Sequence, residues 1–186
     1  VGLGGAAVIT DLAGDDTFNL QPLVQQYHDK FFNEYAKKFP FDLLPEATVT
    51  GNGDYQAYQP EYKGGYNASS YASYPGYKPV DHNWGRNNEK AMLKIFPEAD
   101  GVMFVYIDFK MQKGFGIGGT ATTKMRVTTN ITLYNKKGEK VFSINEGENS
   151  KKTGVMVGGV PVMKPEKVLP MCESALNELM GDLEKR

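Results

Sequence analysis

The chain has 186 residues, the usual length of one domain, and folding at this size removes roughly 70% of the unfolded chain's surface from water. Its 21 basic and 22 acidic residues give a net charge of −1, which disfavours nucleic acid as a partner. The sequence contains no apolar run of about 18 residues, the length that spans a bilayer. These properties predict one α/β domain over residues 1–186.

The first two elements are predicted from apolar runs. A short apolar run at residues 6–10 predicts a strand. Between residues 19 and 39 apolar side chains recur every three or four places, which predicts an amphipathic helix of about five turns. Asn19 is a suitable N-cap, Pro22 fits the first turn, and Pro40 ends the helix.

The composition changes after a second predicted strand at residues 47–50. A Tyr- and Gly-rich loop is predicted as an insertion at about residues 55–85, with little aliphatic content. Its seven tyrosines up to residue 77 are Tyr55, Tyr58, Tyr62, Tyr66, Tyr71, Tyr74 and Tyr77.

This loop has two interpretations. Its rings could lie back on the domain, or they could form a contact surface, because tyrosine combines a large apolar ring with a polar tip. The candidate partner-binding residues are Tyr66, Tyr71, Tyr74, Tyr77 and Trp84. We expect the segment to be dispensable for folding, since it offers few core side chains.

After a short helix predicted at residues 87–96, alternating residues predict a three-strand antiparallel meander at 100–111, 120–134 and 139–145. In the middle strand Met125, Val127, Thr129, Ile131 and Leu133 mark a dry face. The intervening residues, including Asn130 and Thr132, mark a face expected to be wet. We therefore expect Ile131→Ala to destabilise the fold and Thr132→Ala to do little.

The glycine-rich residues 113–120 superficially suggest a phosphate-binding loop. Such loops aim the first N–H groups of a helix at a phosphate, whereas this one leads directly into an alternating strand. We interpret it as a flexible hairpin connection.

The C-terminal part of the chain adds a strand at residues 153–157 and a long helix that begins at Pro165 or Pro170 and ends near residue 184. Cys172 lies on the apolar face of that helix, which predicts a buried, unreactive thiol. The two histidines, His28 and His82, are not grouped with other metal ligands in the sequence. We therefore predict no enzymatic activity, no metal and no cofactor.

The predicted element order is β-α-β-α-β-β-β-α, with about five strands in one mixed α/β sheet and the helices mainly covering one face. This order, the segment 99–102 and the hairpin 133–142 resemble the small α/β domain of bacterial envelope proteins such as the TolB N-terminal domain, the lipoprotein CsgG and the lipoprotein LpoB. Asn135 stands where that group more often has Asp, and Phe142 where it often has Trp.

The resemblance implies a non-enzymatic cell-envelope lipoprotein domain that acts as a protein-interaction or assembly module. It would be periplasmic and anchored to the outer membrane through a lipidated cysteine upstream of Val1. Its expected partners are envelope proteins, including a second copy of itself. The alternative is a small-molecule or glycan-binding protein that uses the Tyr-rich loop as a stacking surface.

Overall fold

The computed structural model describes most of the chain. The described residues are 4–8, 19–62, 68, 71–80, 86–157, 160–161 and 165–185. Within them the chain is a mixed α+β structure built around one sheet, as the sequence pattern predicts.

The sheet has the spatial order β1-β2-β3-β4-β5. Its strands are β1 (Gly4–Val8), β2 (Gly101–Ile117), β3 (Thr120–Asn135), β4 (Lys140–Val157) and β5 (Val160–Pro161). β1 is parallel to β2, and all later neighbours are antiparallel. The long antiparallel core of β2, β3 and β4 confirms the predicted meander.

The described residues also form five α-helices. They are α1 (Gln21–Lys30), α2 (Glu46–Thr50), α3 (Gly53–Ala57), α4 (Arg86–Ile95) and α5 (Val168–Leu183). A π-helical turn and a 3₁₀ turn extend α1 to Lys38, so the helix predicted at residues 19–39 is confirmed. The N-cap is Leu20 and not Asn19 as predicted, although Asn19 Oδ1 accepts a hydrogen bond from the backbone N–H of Gln21 at 3.1 Å.

The two long helices cover one side of the sheet, which we call the α5 face. It carries Val105 and Ile107 of β2 and Val127 and Ile131 of β3, all buried. α5 contacts β3 and β4, and the Tyr27 hydroxyl of α1 lies 2.6 Å from Thr129 Oγ1 on this face. The dry face predicted for β3 is therefore confirmed.

α4 packs on the opposite side, which we call the α4 face. Phe104 and Tyr106 of β2 and Asn130 and Thr132 of β3 belong to it, because side chains alternate along a strand. Phe104, Asn130 and Thr132 are buried. The expectation that Asn130 and Thr132 lie on a wet face is therefore wrong, since both side chains are buried.

The strand predicted at residues 47–50 is wrong, because these residues belong to α2. Pro45 precedes the helix, and the Thr50 hydroxyl donates to the carbonyl oxygen of Glu46 at 2.9 Å, one turn back. Val49 is buried in the core. β-branched residues favour strands only weakly, and the local turn decides the structure here.

The strand predicted at residues 153–157 is the second half of β4. Arg126 pairs with Asn149 and Lys124 pairs with Thr153, so residues 150–152 form a bulge opposite Met125. Ser150 Oγ accepts from the backbone N–H of Met125 at 3.0 Å and donates to the Lys152 carbonyl oxygen at 2.6 Å. The predicted element order is wrong at its second strand, because residues 47–50 are helical.

The glycine-rich connection is shorter than predicted. β2 and β3 continue to Ile117 and Thr120, and only Gly118 and Gly119 connect them. Both have positive φ, 61° and 84°, as a two-residue hairpin turn requires. The hairpin itself is confirmed.

Two tyrosines of the Tyr-rich segment are part of the core. Tyr55 is 1% exposed, its ring centroid lies 5.8 Å from that of Phe96, and its hydroxyl accepts from the Lys78 N–H at 2.8 Å. Tyr77 is also buried, and its hydroxyl donates to Glu46 at 2.9 Å. The expectation that this segment supplies few core side chains is wrong for these two residues.

Candidate binding groove

A groove with a volume of about 760 Å³ opens on the α4 face of the sheet. Its floor is formed by side chains of all three meander strands: Tyr106, Asn130, Thr132, Tyr134, Ser143 and Asn145. Strand register brings them together, because Asn130 lies opposite Asn145 and Thr132 lies opposite Ser143. The floor therefore consists of neutral hydrogen-bonding groups and two tyrosine rings.

The floor side chains are bonded to one another. Thr132 Oγ1 donates to Asn130 Oδ1 at 2.8 Å and lies 3.0 Å from Ser143 Oγ. Asn130 Nδ2 donates to Asn145 Oδ1 and, at 3.4 Å, to Ser143 Oγ. Because each contact restricts the rotamers of both partners, the floor presents fixed donors and acceptors to the groove, from the buried Thr132 to the exposed Asn145.

The rim of the groove is mainly basic. Lys90 of α4, Lys137 of the β3–β4 turn and Lys140 of β4 are exposed, while Glu89 is buried beside them. Burial, and next the negative charge of Glu89, raise the pKa of the Tyr134 hydroxyl, which stays a neutral donor. Three lysines against one glutamate favour anionic groups at the mouth of the groove.

A short turn fixes the position of Lys137. Asn135 Oδ1 accepts from the backbone N–H groups of Lys137 at 2.9 Å and Glu139 at 3.0 Å. Gly138 takes a φ of 74°, which its missing side chain permits. The turn predicted from its Asn and Gly thus forms one wall of the groove.

Asn88 fixes α4 over the sheet. It is fully buried, and its Oδ1 accepts from the Tyr58 hydroxyl at 2.6 Å and from the Glu61 N–H at 3.0 Å. Its Nδ2 donates to the Glu61 carbonyl oxygen at 3.0 Å. The start of the Tyr-rich segment thereby determines where Glu89 and Lys90 stand at the rim.

The tyrosines predicted to bind a partner lie away from this groove where the structure describes them. Tyr71 stacks on Tyr62 with ring centroids 5.8 Å apart, and Tyr74 stacks on His28 at 3.5 Å. Both are half-buried, Tyr77 is buried, and none of the three is among the groove residues. Tyr66 and Trp84 lie outside the described residues. Their role in binding stays a prediction.

A second polar cluster joins the Tyr-rich segment to α1. His28 Nε2 lies 2.6 Å from Glu46 Oε2, the same oxygen that accepts from the Tyr77 hydroxyl. Burial and the neighbouring Glu46 carboxylate raise the pKa of Tyr77, so that hydroxyl remains a donor. The cluster ties α2 and the tyrosines to α1, and His28 is largely buried within it.

The Cys172 thiol is fully buried, as predicted, and burial raises its pKa to about 12. Across the described ranges, no three His, Cys, Asp or Glu side chains are grouped as metal ligands. Over the same ranges, no helix is long and apolar enough to cross a membrane.

Sequence reasoning missed the groove, although a signal for it exists. Asn130 and Thr132 on β3, and Ser143 and Asn145 on β4, are short hydrogen-bonding residues at alternate positions of adjoining strands. Long charged residues would be expected there if the face were open to water.

Comparisons with known proteins do not show a family for this chain. No protein-family model matches this chain, and the search of curated proteins found no match. One solved structure, lipoprotein GNA1162 from Neisseria meningitidis, is 12% identical over 97% of this chain and 95% of that chain, with a TM-score of 0.36. That TM-score is too low to carry an argument, so the resemblance to the TolB, CsgG and LpoB domains stays a prediction.

Proposed function

We propose that this chain is a non-enzymatic interaction module of the bacterial cell envelope and that it binds a partner through the α4-face groove. The observation that carries the proposal is the bonded polar floor beneath a rim of three lysines. Such a floor is ordered before a ligand arrives, so little conformational entropy is lost on binding.

The groove chemistry suits a partner segment that is polar and acidic. Tyrosine, serine and asparagine are the residues that binding surfaces use for rigid contact area and adaptable hydrogen bonds. Lys90, Lys137 and Lys140 complement carboxylates electrostatically, which favours specificity and fast association. The partner is therefore a protein with an extended acidic segment.

The non-enzymatic character is supported by the placement of the reactive groups. A thiol with a pKa of about 12 is not a nucleophile at neutral pH, and Cys172 has no access to solvent. His28 is stacked on Tyr74 and bonded to Glu46, outside the groove.

The cellular location comes from the resemblance to envelope lipoprotein domains. On that basis the module is periplasmic and held at the outer membrane by a lipidated cysteine upstream of Val1. Its partners are envelope proteins, including a second copy of itself.

Titration of the protein with peptides, followed by NMR, tests the proposal. A Glu-rich peptide should shift the backbone amides of Asn130, Ser143 and Asn145, and a peptide with every Glu replaced by Gln should not. Lys140→Gln should weaken the effect. Lys167→Gln, an exposed lysine at the start of α5, is the matched control and should leave it unchanged. Acidic peptides that leave the groove amides unshifted would contradict the proposal.

A small anionic ligand or glycan is the second candidate function. The groove volume of about 760 Å³ falls in the range of small-molecule sites, roughly 300–1,000 Å³. Tyr106 and Tyr134, rather than the Tyr-rich loop, would supply the stacking rings. An acidic oligosaccharide that shifts the same amides, while the acidic peptide does not, would favour this candidate over a protein partner.

A further inference from the structure

A second surface lies at the far end of the meander, away from the groove. We call it the hairpin tip and define it as residues 113–124 and 153–157. Here β2, β3 and β4 continue beyond the groove, and β2 and β3 end at the Gly118-Gly119 turn.

The hairpin tip exposes an unusual amount of apolar surface. The exposed fractions are 79% for Phe115, 77% for Ile117, 46% for Val155 and 48% for Val157. Strand register groups three of these on the α4 face, because Ile117 and Val157 both pair with Thr120 and Val155 pairs with Thr122. Scattered exposed apolar residues are normal, but residues of β2 and β4 that flank the same threonines of β3 form a patch that indicates an interaction site.

Exposed lysines lie on all three strands at a similar distance from the end of this patch. Each strand carries at least one exposed lysine, and those nearest the tip are Lys113 on β2, Lys124 on β3 and Lys152 on β4. Each stands about four or five residues before or after the tip, which corresponds to about 13–16 Å along a strand. Residues 110–124 and 149–164 contain no Asp or Glu.

We propose that the hairpin tip binds an anionic lipid surface. Phe115, Ile117 and Val157 would enter the boundary between headgroups and acyl chains, to the depth of about 5–10 Å that interfacial segments reach. Lys113, Lys124 and Lys152 would then stand at the level of the lipid phosphates. Charge complementarity selects this occupant, because an apolar end followed by a basic ring matches the layers of an anionic membrane.

This contact is independent of the groove and of the lipid anchor expected upstream of Val1. It would orient the domain with β2, β3 and β4 directed at the membrane. The groove, farther along the same strands, would then remain open to a partner.

Co-sedimentation with vesicles tests the proposal. The protein should bind vesicles of phosphatidylcholine and phosphatidylglycerol, and bind phosphatidylcholine alone much more weakly. Added salt should weaken binding, because it screens the lysines. Absence of binding to the anionic vesicles would overturn the proposal.

Paired variants separate the apolar and the basic contributions. Ile117→Ser and Phe115→Ser should each lower the partition coefficient by roughly tenfold or more. Lys113→Gln and Lys124→Gln should each lower it by about fivefold, the effect of one lysine at an anionic surface. The matched controls are Val141→Ser, an exposed valine outside the hairpin tip, and Lys167→Gln. Controls that reduce binding as much as the tip variants would overturn the proposal.

Insertion itself is measurable by fluorescence. Phe115→Trp in a Trp84→Phe background should show a blue shift in emission when anionic vesicles are added. An emission maximum that does not move although the protein sediments with vesicles would overturn insertion of the tip.

The competing occupant is a second copy of this chain. Within the described residues, β1 pairs with β2 only as far as Asp108, so another β2 could pair along the rest of the strand. Sedimentation velocity distinguishes the two. If the protein is a monomer and the tip variants lose only vesicle binding, the lipid surface is supported. If the protein is a dimer that Ile117→Ser dissociates, and neither form binds vesicles, the proposal of a lipid surface is overturned.

Discussion

The two faces of β3 bury adjoining residues by different means. Ile131 on the α5 face is 0% exposed and Thr132 on the α4 face is 1% exposed. Ile131 packs in the hydrophobic core with α5 residues such as Leu176. Thr132 instead bonds to Asn130 and Ser143. Equal burial thus serves stability on one face and a polar binding floor on the other.

This difference follows from the cost of burying polar groups. Apolar side chains gain free energy in proportion to the area removed from water. A buried hydroxyl or amide costs free energy unless it is hydrogen-bonded, so the α4-face residues are stable there only as a connected set. Packing on the α5 face holds the strands in the register that connects them.

The largest expected effect is on the α5 face. Ile131→Ala should lower the free energy of unfolding by about 2–5 kcal/mol, because it removes buried methyl groups and leaves a cavity. Urea denaturation measures this effect. Val141→Ala, at an exposed valine on the neighbouring strand, is the control and should change stability by less than about 0.5 kcal/mol. Similar losses in both variants would mean that the faces are wrongly assigned.

On the α4 face, Thr132→Val keeps the shape of the side chain and removes its hydroxyl. We expect a loss of about 1–3 kcal/mol, because Asn130 Oδ1 loses its donor in a buried position. This corrects the expectation from sequence that a small change at Thr132 would do little. The midpoint of urea denaturation is compared between Thr132→Val and the control Thr128→Val, which changes a half-buried threonine on the same face. An unchanged midpoint for Thr132→Val would show that the floor is not a connected network.

Alkaline pH should weaken the α5 face. Burial raises the pKa of the Tyr27 hydroxyl and raises that of Cys172 to about 12. The unfolded chain releases these protons at lower pH, so their contribution to stability is complete below about pH 9 and is lost as pH rises toward 12. The free energy of unfolding should therefore fall between about pH 9 and about pH 12, and less steeply in Cys172→Ala. Stability that is constant or rises over this range would contradict the burial of these groups.

The smallest expected stability effect is at the groove rim. Lys140→Gln changes an exposed side chain, so the free energy of unfolding should move by less than about 0.5 kcal/mol. The same variant should weaken binding of an acidic peptide, measured by titration calorimetry. A large loss of stability would show that Lys140 supports the fold instead of lining a binding site.

The sequence predicts well those elements whose pattern repeats over several turns or residues. The alternation from Met125 to Leu133 and the helical spacing from residue 19 to 39 each record burial on one face. Residues 47–50 are too short to show a period, and their helix depends on the turn that Pro45 begins. The bulge at 150–152 depends on Ser150 and its partner strand, which lies distant in the sequence.

The groove could not be predicted because its burial is not local. Asn130 and Thr132 look like surface residues until α4 and the neighbouring strands are placed around them, and the position of α4 depends on Asn88 bonding to Tyr58 and Glu61. Likewise Tyr55 and Tyr77 lie in a segment typical of a loop, but long-range contacts bury them. Composition alone reports neither kind of contact.

The central claim, that the partner binds in the α4-face groove, is tested most directly by photo-crosslinking from two adjoining positions. The photoreactive residue p-benzoylphenylalanine replaces Lys140, which lines the groove, or Val141, which is exposed outside it. In cells that make the protein naturally, we expect one protein to be crosslinked strongly from position 140 and weakly or not at all from position 141. Equal yields from the two positions, or a product from position 141 alone, would contradict it.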